Sequence, residues 1–247
     1  MNVNTIYPAF MGEVNPYGIG APCVFVRFAG CNLRCYANLG TLCDTPEALE
    51  FNSGKELTPA EILSRVQAYR IPLVCLTGGE PLCQPKTEMW DLLSLFSDHG
   101  IHVVVETNGS RNIFAIAEVF PEVSLVVDYK AASSGEQGRM LEENWAKMRK
   151  NDWLKFVLYD VADMNEMLRW CEEHHETFKG HIAAGLFWGT SYLWYGKPDG
   201  TIEELLHAVL VEHPEYRIHL NFQAHKLISL YDQNIGLVQK TYVPKDL

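Results

Sequence analysis

Residues 73–81, LVCLTGGEP, run from four consecutive apolar side chains into Thr77, two glycines, Glu80 and Pro81. A short unbroken apolar run has the form of a strand covered on both faces, and the glycine pair after it reads as the turn into the next element. The same form recurs at CVFVRFA (23–29), HVVVET (102–107), LVVDY (125–129), LKFVLY (154–159), HIAAGLF (181–187) and RIHLNF (217–222). Helical patterns lie between these runs. Thr58-Pro59-Ala60-Glu61 supplies an N-cap, a proline at the first helical position and a capping-box glutamate, and Thr201 with Glu204 repeats the box. Met89, Leu92, Leu93 and Phe96 follow helical spacing, and Gly100 ends that helix. Strands alternating with helices predict an α/β fold with about six strand-helix units, as a partial (β/α) barrel or an open wound sheet. In either form the functional site belongs at the carboxyl ends of the strands.

The chain-wide numbers narrow the function. At 247 residues, 47% hydrophobic and 21% charged, the chain is expected to fold as one domain. A formal net charge of -11 offers no basic surface for a phosphate backbone, so a small molecule or another protein is the expected partner rather than nucleic acid. No apolar run has bilayer length, and MNVNTIYPAF lacks the basic and apolar regions of a signal peptide, which predicts a cytoplasmic protein with no membrane partner. Seven cysteines, an odd number, argue against a disulfide framework in such a compartment. Cys75 and Cys171 read as packing residues, and Cys23 and Cys83 as either packed or incidentally exposed. Tyr36 to Thr58 reads as loop, and SSGEQG (133–138) as a mobile loop.

The strand ends lead into polar stretches. After the first strand comes CNLRCYANLGTLCDT (31–45), with Cys31, Cys35 and Cys43; after the second, Gly-Gly-Glu-Pro; after the third, Glu106-Thr107-Asn108-Gly109. Three neighbouring cysteines can ligate a metal and leave one position open, and by spacing alone an iron-sulfur cluster and zinc are equally served.

Taken with Gly-Gly-Glu-Pro, the cysteines resemble those of the radical S-adenosylmethionine (SAM) superfamily, although here the spacing is three residues and then seven, with 36–42 as an inserted stretch. The resemblance implies a partial (β/α) barrel with about six parallel strands. It also implies a 4Fe-4S cluster on Cys31, Cys35 and Cys43, with SAM completing the cluster. Gly78, Gly79 and Glu80 would meet the methionyl amine, with Glu106, Asn108 and Lys130 as further cofactor contacts.

The flanks narrow the match. Gly12-Glu13, Gly20-Ala21-Pro22, Phe25, Arg27, Gly30-Cys31, Cys43-Asp44-Thr45, Glu106-Thr107-Asn108-Gly109 and Gln223-Ala224-His225-Lys226 together are similar to the 7-carboxy-7-deazaguanine synthase family. That family contracts 6-carboxy-5,6,7,8-tetrahydropterin to 7-carboxy-7-deazaguanine with loss of ammonia, using magnesium. By this resemblance Thr45 would be a magnesium ligand, and Glu13, Arg27, Gly78 and His225 would line the substrate pocket. It also implies a reductant such as flavodoxin or ferredoxin, and a homodimer. The chain departs from the family at Met11, Val14 and Ala224, at Asp128-Tyr129-Lys130 where Ser-Pro-Lys is common, at Gly185-Leu186-Phe187-Trp188 where Gln-Pro is common, and in a C-terminal extension over 227–247.

Three other readings stand beside this one. A glycyl-radical activating enzyme, or an enzyme of the same class acting on a related pterin, shares the cysteines and the glycine pair. A zinc-stabilised binding protein keeps the fold without the chemistry. Thr45 as a turn cap and Arg27 as a plain surface residue are the structural alternatives at those positions. The run Glu172-Glu173-His174-His175-Glu176 reads as a solvated helix end, and Met164 and Met167 as helix packing.

Overall fold

The computed structural model describes residues 1–40, 43–186, 205, 207–221 and 223. His225, the 227–247 extension, the Thr201/Glu204 box and Phe187-Trp188 lie outside the described residues.

The described strands form one nine-stranded sheet in the order β3-β1-β2-β4-β5-β6-β7-β8-β9. Their spans are β1 (Asn2–Phe10), β2 (Pro22–Phe28), β3 (Lys55–Glu56), β4 (Leu73–Gly78), β5 (His102–Thr107), β6 (Ser124–Lys130), β7 (Trp153–Leu158), β8 (His181–Leu186) and β9 (His219–Asn221). From β2 through β9 every pairing beyond β1 and β3 is parallel, and the sheet stays unclosed. The seven apolar runs therefore became the seven parallel strands.

β1 is the strand the sequence does not announce. It pairs antiparallel with β2, from Val3 opposite Phe28 to Phe10 opposite Pro22, and β3 covers only Asn2 and Val3 on its outer side. Asparagine and proline are depleted in strands, and Pro8 is tolerated because it sits where β1 has become the sheet edge.

Helices α1 (Pro59–Ala68), α2 (Lys86–Asp98), α3 (Phe114–Val119) and α4 (Val161–His174) cover the outer face. The capping box forms as expected: Thr58 Oγ1 accepts from Glu61 N at 3.3 Å and Glu61 Oε2 accepts from Thr58 N at 2.8 Å. In α2, Met89, Leu92, Leu93 and Phe96 are buried, and Gly100 at φ +65° closes the helix. Met164, Met167 and Cys171 pack into the core between α4 and the sheet.

Strand alternation then decides where chemistry can be. Outward-facing residues such as Val24, Val26, Val74, Leu76, Val103, Val105, Leu125, Val127, Leu154 and Phe156 join the helix-covered core. The inward-facing set changes character along each strand. Its amino-terminal half is apolar: Cys23, Leu73, Cys75, Val104, Val126, Trp153 and Ala183 pack with Met11 and Val14 into a second core. Its carboxyl-terminal half is polar: Arg27, Thr77, Glu106, Asp128, Lys130 and Lys155 all line one cavity of about 530 Å³. Cys23 and Cys75 thus pack in the inner core, as their apolar surroundings predict.

The 133–138 loop is a fixed bracket rather than a free loop. It is built from two 3-10 turns, Ala132–Ser134 and Gln137–Arg139. Ser133 N donates to Asp163 Oδ1 at 3.1 Å, Gln137 bonds Glu166, and Glu136 Oε1 accepts from Arg34 N at 2.6 Å. Tyr36 N also donates to Ser134 O at 2.7 Å, so the bracket carries the inserted cysteine loop. Polar, glycine-rich composition hid anchors that lie on a distant helix.

Candidate active site

Cys31, Cys35 and Cys43 all border the cavity, and none is in a disulfide. Arg34 Nη1 donates to the carbonyls of Cys31 and Leu33, both at 2.8 Å, and so holds the turn between the first two cysteines. Burial pushes all three thiols up, Cys43 to about 11, and the thiols repel one another's ionised forms. Lys130 favours the ionised form of each, and a bound metal centre would do so further. Among the described residues no three His, Cys, Asp or Glu side chains converge on one ion position. By donor type the three thiols suit a four-iron cluster, which gives each cysteine its own iron.

Cys83 is not merely packed. It is half-buried beside this loop, its Sγ 3.4 Å from Asn32 Oδ1 and 3.4 Å from Arg111 Nη2. Asn108 Nδ2 lies 3.2 Å from Asn32 Oδ1 and 3.6 Å from Cys31 Sγ, so Asn108 faces the cysteine loop.

The Gly78-Gly79-Glu80 turn is built for the chain's own backbone as well as for any ligand. Gly78 has φ +128°, and a Cβ there would overlap the backbone of Phe28; a Cβ on Gly79 would overlap the carbonyls of Gly30 and Ala48. The turn lies flat against the end of β2, with Gly79 N donating to Phe28 O at 2.9 Å and Glu80 N to Gly30 O at 2.8 Å. Glu80 is fully buried. Its Oε1 accepts from Leu82 N at 2.9 Å and Thr107 Oγ1 at 2.7 Å, and its Oε2 accepts from Asn108 N at 2.7 Å. Burial raises its pKa, and these donors work the other way. Three of a carboxylate's roughly four lone-pair sites are used, which ties the end of β4 to the end of β5 and leaves one acceptor position.

Arg27 points into the cavity from β2. Nη1 donates to Thr45 Oγ1 at 3.1 Å, and Nη2 to the hydroxyl of Tyr7 at 3.1 Å. Tyr7 in turn stacks on Phe25, ring centroids 5.5 Å apart. Among the described residues Arg27 makes no ion pair, so a guanidinium with five donors gives two of them to neutral hydroxyls and keeps its charge for something else. Thr45 opens the 3-10 turn Pro46–Ala48, yet its side chain makes no capping bond; its hydroxyl lies 3.3 Å from Asp44 Oδ1. The turn-cap reading of Thr45 is therefore set aside, as is the plain-surface reading of Arg27.

The remaining polar groups form a ladder of charge across the cavity. Lys130 Nζ lies 2.5 Å from Asp128 Oδ2, Asp128 Oδ1 lies 2.8 Å from Lys155 Nζ, and Lys155 pairs with Glu13. Gln223 Nε2 donates to Glu13 Oε1 at 2.8 Å, and Asn221 Nδ2 to Glu13 Oε2 at 3.4 Å. Lys155 holds Glu13 below the ordinary carboxylate range against its burial, and Lys130 and Lys155 do the same for Asp128. Glu106, bonded to Thr77 Oγ1 at 2.8 Å, goes the other way: burial first, and then the charge of Glu13, raise its pKa.

The cavity thus brings together Glu13, Arg27, Cys31, Cys35, Cys43, Thr45, Gly78, Gly79, Glu80, Glu106, Asn108 and Lys130. His225 lies outside the described residues. Sequence reasoning missed Tyr7, Lys155, Asn221 and the part played by Gln223. The signal for Lys155 was present: a charged residue inside LKFVL, two positions after Trp153 and therefore on the same face.

A family model described as the radical SAM superfamily matches residues 25–128. The 7-carboxy-7-deazaguanine synthase of Koribacter versatilis (strain Ellin345) is 35% identical over 175 residues, covering 70% of this chain and 72% of that protein. The enzyme of the same name from Chlorobaculum tepidum is 31% identical over 228 residues, covering 92% and 94%. In fold, the crystal structure of QueE from Escherichia coli superposes with a TM-score of 0.66 at 20% identity, over 91% of this chain and 94% of that one. A strand-end cysteine loop, a Gly-Gly-Glu-Pro turn against it and relatives alike over most of their length converge on one statement: the chain belongs to the 7-carboxy-7-deazaguanine synthase family of radical SAM enzymes.

Proposed function

We propose that this protein converts 6-carboxy-5,6,7,8-tetrahydropterin to 7-carboxy-7-deazaguanine with release of ammonia, the step for which its relatives are named. The observation that carries the reading is the meeting, in one cavity, of three cysteine thiols and a guanidinium that makes no ion pair among the described residues. The superfamily implies a 4Fe-4S cluster and SAM. Bound there and reduced, these supply a 5′-deoxyadenosyl radical. Everything else falls to the chain.

Cys31, Cys35 and Cys43 hold the cluster. Gly78, Gly79 and Glu80 contact the SAM amine, Glu80 through its remaining acceptor position, with Glu106, Asn108 and Lys130 around the same ligand. Arg27 receives the substrate carboxylate, and Glu13 and His225 take the pterin ring. Thr45 Oγ1 offers magnesium a hard oxygen donor next to that carboxylate. The cavity would shield the substrate carbon bearing the carboxylate: the hydrogen atom taken from it is given back after the ring contracts, and the amine leaves as ammonia, so that the conversion is redox-neutral. A flavodoxin or ferredoxin as reductant, a homodimer and a cytoplasmic setting complete the reading; no helix among the described residues is long and apolar enough to cross a membrane.

The test is anaerobic incubation of the reconstituted protein with SAM, reductant, magnesium and the pterin, with products identified by mass spectrometry. The expected product is 7-carboxy-7-deazaguanine, lost in Cys35→Ala and reduced when magnesium is chelated. Release of 5′-deoxyadenosine with the pterin unchanged rejects the substrate, and a requirement for a partner protein supports a glycyl-radical activating enzyme instead.

A further inference from the structure

Glu13 reaches the cavity on a connection rather than on a strand. The segment after β1 packs on the inner face of the sheet, where Met11 and Val14 join the inner core. A carboxylate on such a segment has no ladder to fix its direction. Its orientation comes from Asn221 and Gln223 at the β9 end and from Lys155 on β7.

Lys155 is buried and takes no part in the cysteine or Gly-Gly-Glu-Pro machinery. Two positions back on the same face Trp153 packs in the inner core, so an apolar residue at 155 would have continued that core. A buried ion pair is seldom better for stability than apolar packing of the same volume. A lysine in this position therefore points to something other than stability, and its two carboxylate partners, Glu13 and Asp128, both border the cavity.

We propose that Lys155 is a positioning residue of the substrate site, holding the Glu13 carboxylate so that its remaining acceptor position meets an N–H donor of the bound ring, such as the 2-amino-4-oxo edge of a pterin carries. The inference rests on the pterin reading above. Lys155 and Asn221 take up Oε2 and Gln223 one side of Oε1, so about one acceptor site is left on Glu13, which lines the cavity that Arg27 borders from β2. Asp128, fixed by Lys130 on its other oxygen, keeps Lys155 from swinging away.

The test is a double-mutant cycle on the reconstituted holoenzyme, reading KM and kcat for 6-carboxytetrahydropterin in wild type, Lys155→Met, Glu13→Gln and the double variant, with iron and sulfide content as the folding control. Truncating one partner of a buried, hydrogen-bonded charge pair predicts a KM raised by about thirtyfold or more in Lys155→Met, with a far smaller change in kcat. In the Glu13→Gln background the same substitution changes KM by less than about threefold, because the carboxylate it served is gone. An unchanged KM in Lys155→Met overturns the proposal, and so does a full thirtyfold effect that persists without Glu13. Where the single variant does not fold, the double variant, which removes one charge of each sign, is compared with Glu13→Gln alone and decides the matter. Failure of the wild type to turn over the pterin rejects the substrate reading and this inference with it, whereas turnover with an unaffected cycle rejects the inference alone.

Discussion

Val14 N donates to Asn221 Oδ1 at 2.8 Å, joining positions 207 residues apart. This bond stitches the connection after β1 to the last described strand, across the side where the sheet is unclosed. The same asparagine reaches Glu13 through Nδ2, so one side chain both fastens the connection and steers the carboxylate it carries.

Asn221→Leu leaves the Val14 N–H without its partner. Denaturant unfolding is expected to show a loss of about 1–3 kcal/mol, together with a raised KM for the pterin because Glu13 loses one of its guides. A variant with wild-type stability and wild-type KM would contradict the stitching role.

Single substitutions should sort five of the seven cysteines. Cys31→Ala, Cys35→Ala and Cys43→Ala are each expected to lose most of the iron and sulfide that the reconstituted wild type holds. Cys75→Ala and Cys171→Ala, whose side chains pack in the inner and outer cores, are expected to keep it while losing stability through the cavities they open. Iron and sulfide analysis of the five variants checks this, and zinc without sulfide in the wild type would overturn the cluster.

Glu106 gives a pH signature. Its folded-state pKa is raised, by burial and then by Glu13, so the folded state binds this proton more tightly than the unfolded chain does. Its contribution to stability is thus present below the ordinary glutamate range and is lost as pH rises through the raised value. Glu106→Gln keeps an acceptor for Thr77 Oγ1 and removes the charge. It should raise the unfolding midpoint at neutral and mildly alkaline pH, with the advantage vanishing in acid where both forms are neutral. Thermal melts of the two proteins across that range provide the check.

The fold was legible because its strands are covered on both faces. Seven apolar runs announce themselves whatever packs on them, and the capping box at Thr58 marks α1 directly. β1 was not legible, since Asn2, Asn4 and Pro8 suit a partly solvated sheet edge and carry no such run. The site divides along the same line. The spacing of Cys31, Cys35 and Cys43 marks a candidate metal site by itself, whereas Gly78 and Gly79 read as a plain turn until the family resemblance gives them a role. Lys155, Asp128 and Asn221 owe their place to strand register: only when β6, β7, β8 and β9 line up in the sheet do these residues gather around Glu13 and its lysine over the cavity. Gly78 and Gly79 also show how a motif can have two causes, because the backbone of β2 and the cysteine loop already forbids a side chain there.

The central claim is that the radical chemistry of this cavity is aimed at the carboxylate-bearing carbon of a pterin. The most direct measurement incubates the reconstituted protein with SAM and substrate deuterated at that carbon, and weighs the 5′-deoxyadenosine released. Deuterium in the 5′-deoxyadenosine alongside 7-carboxy-7-deazaguanine is the predicted result. Unlabelled 5′-deoxyadenosine beside unchanged pterin would contradict the account.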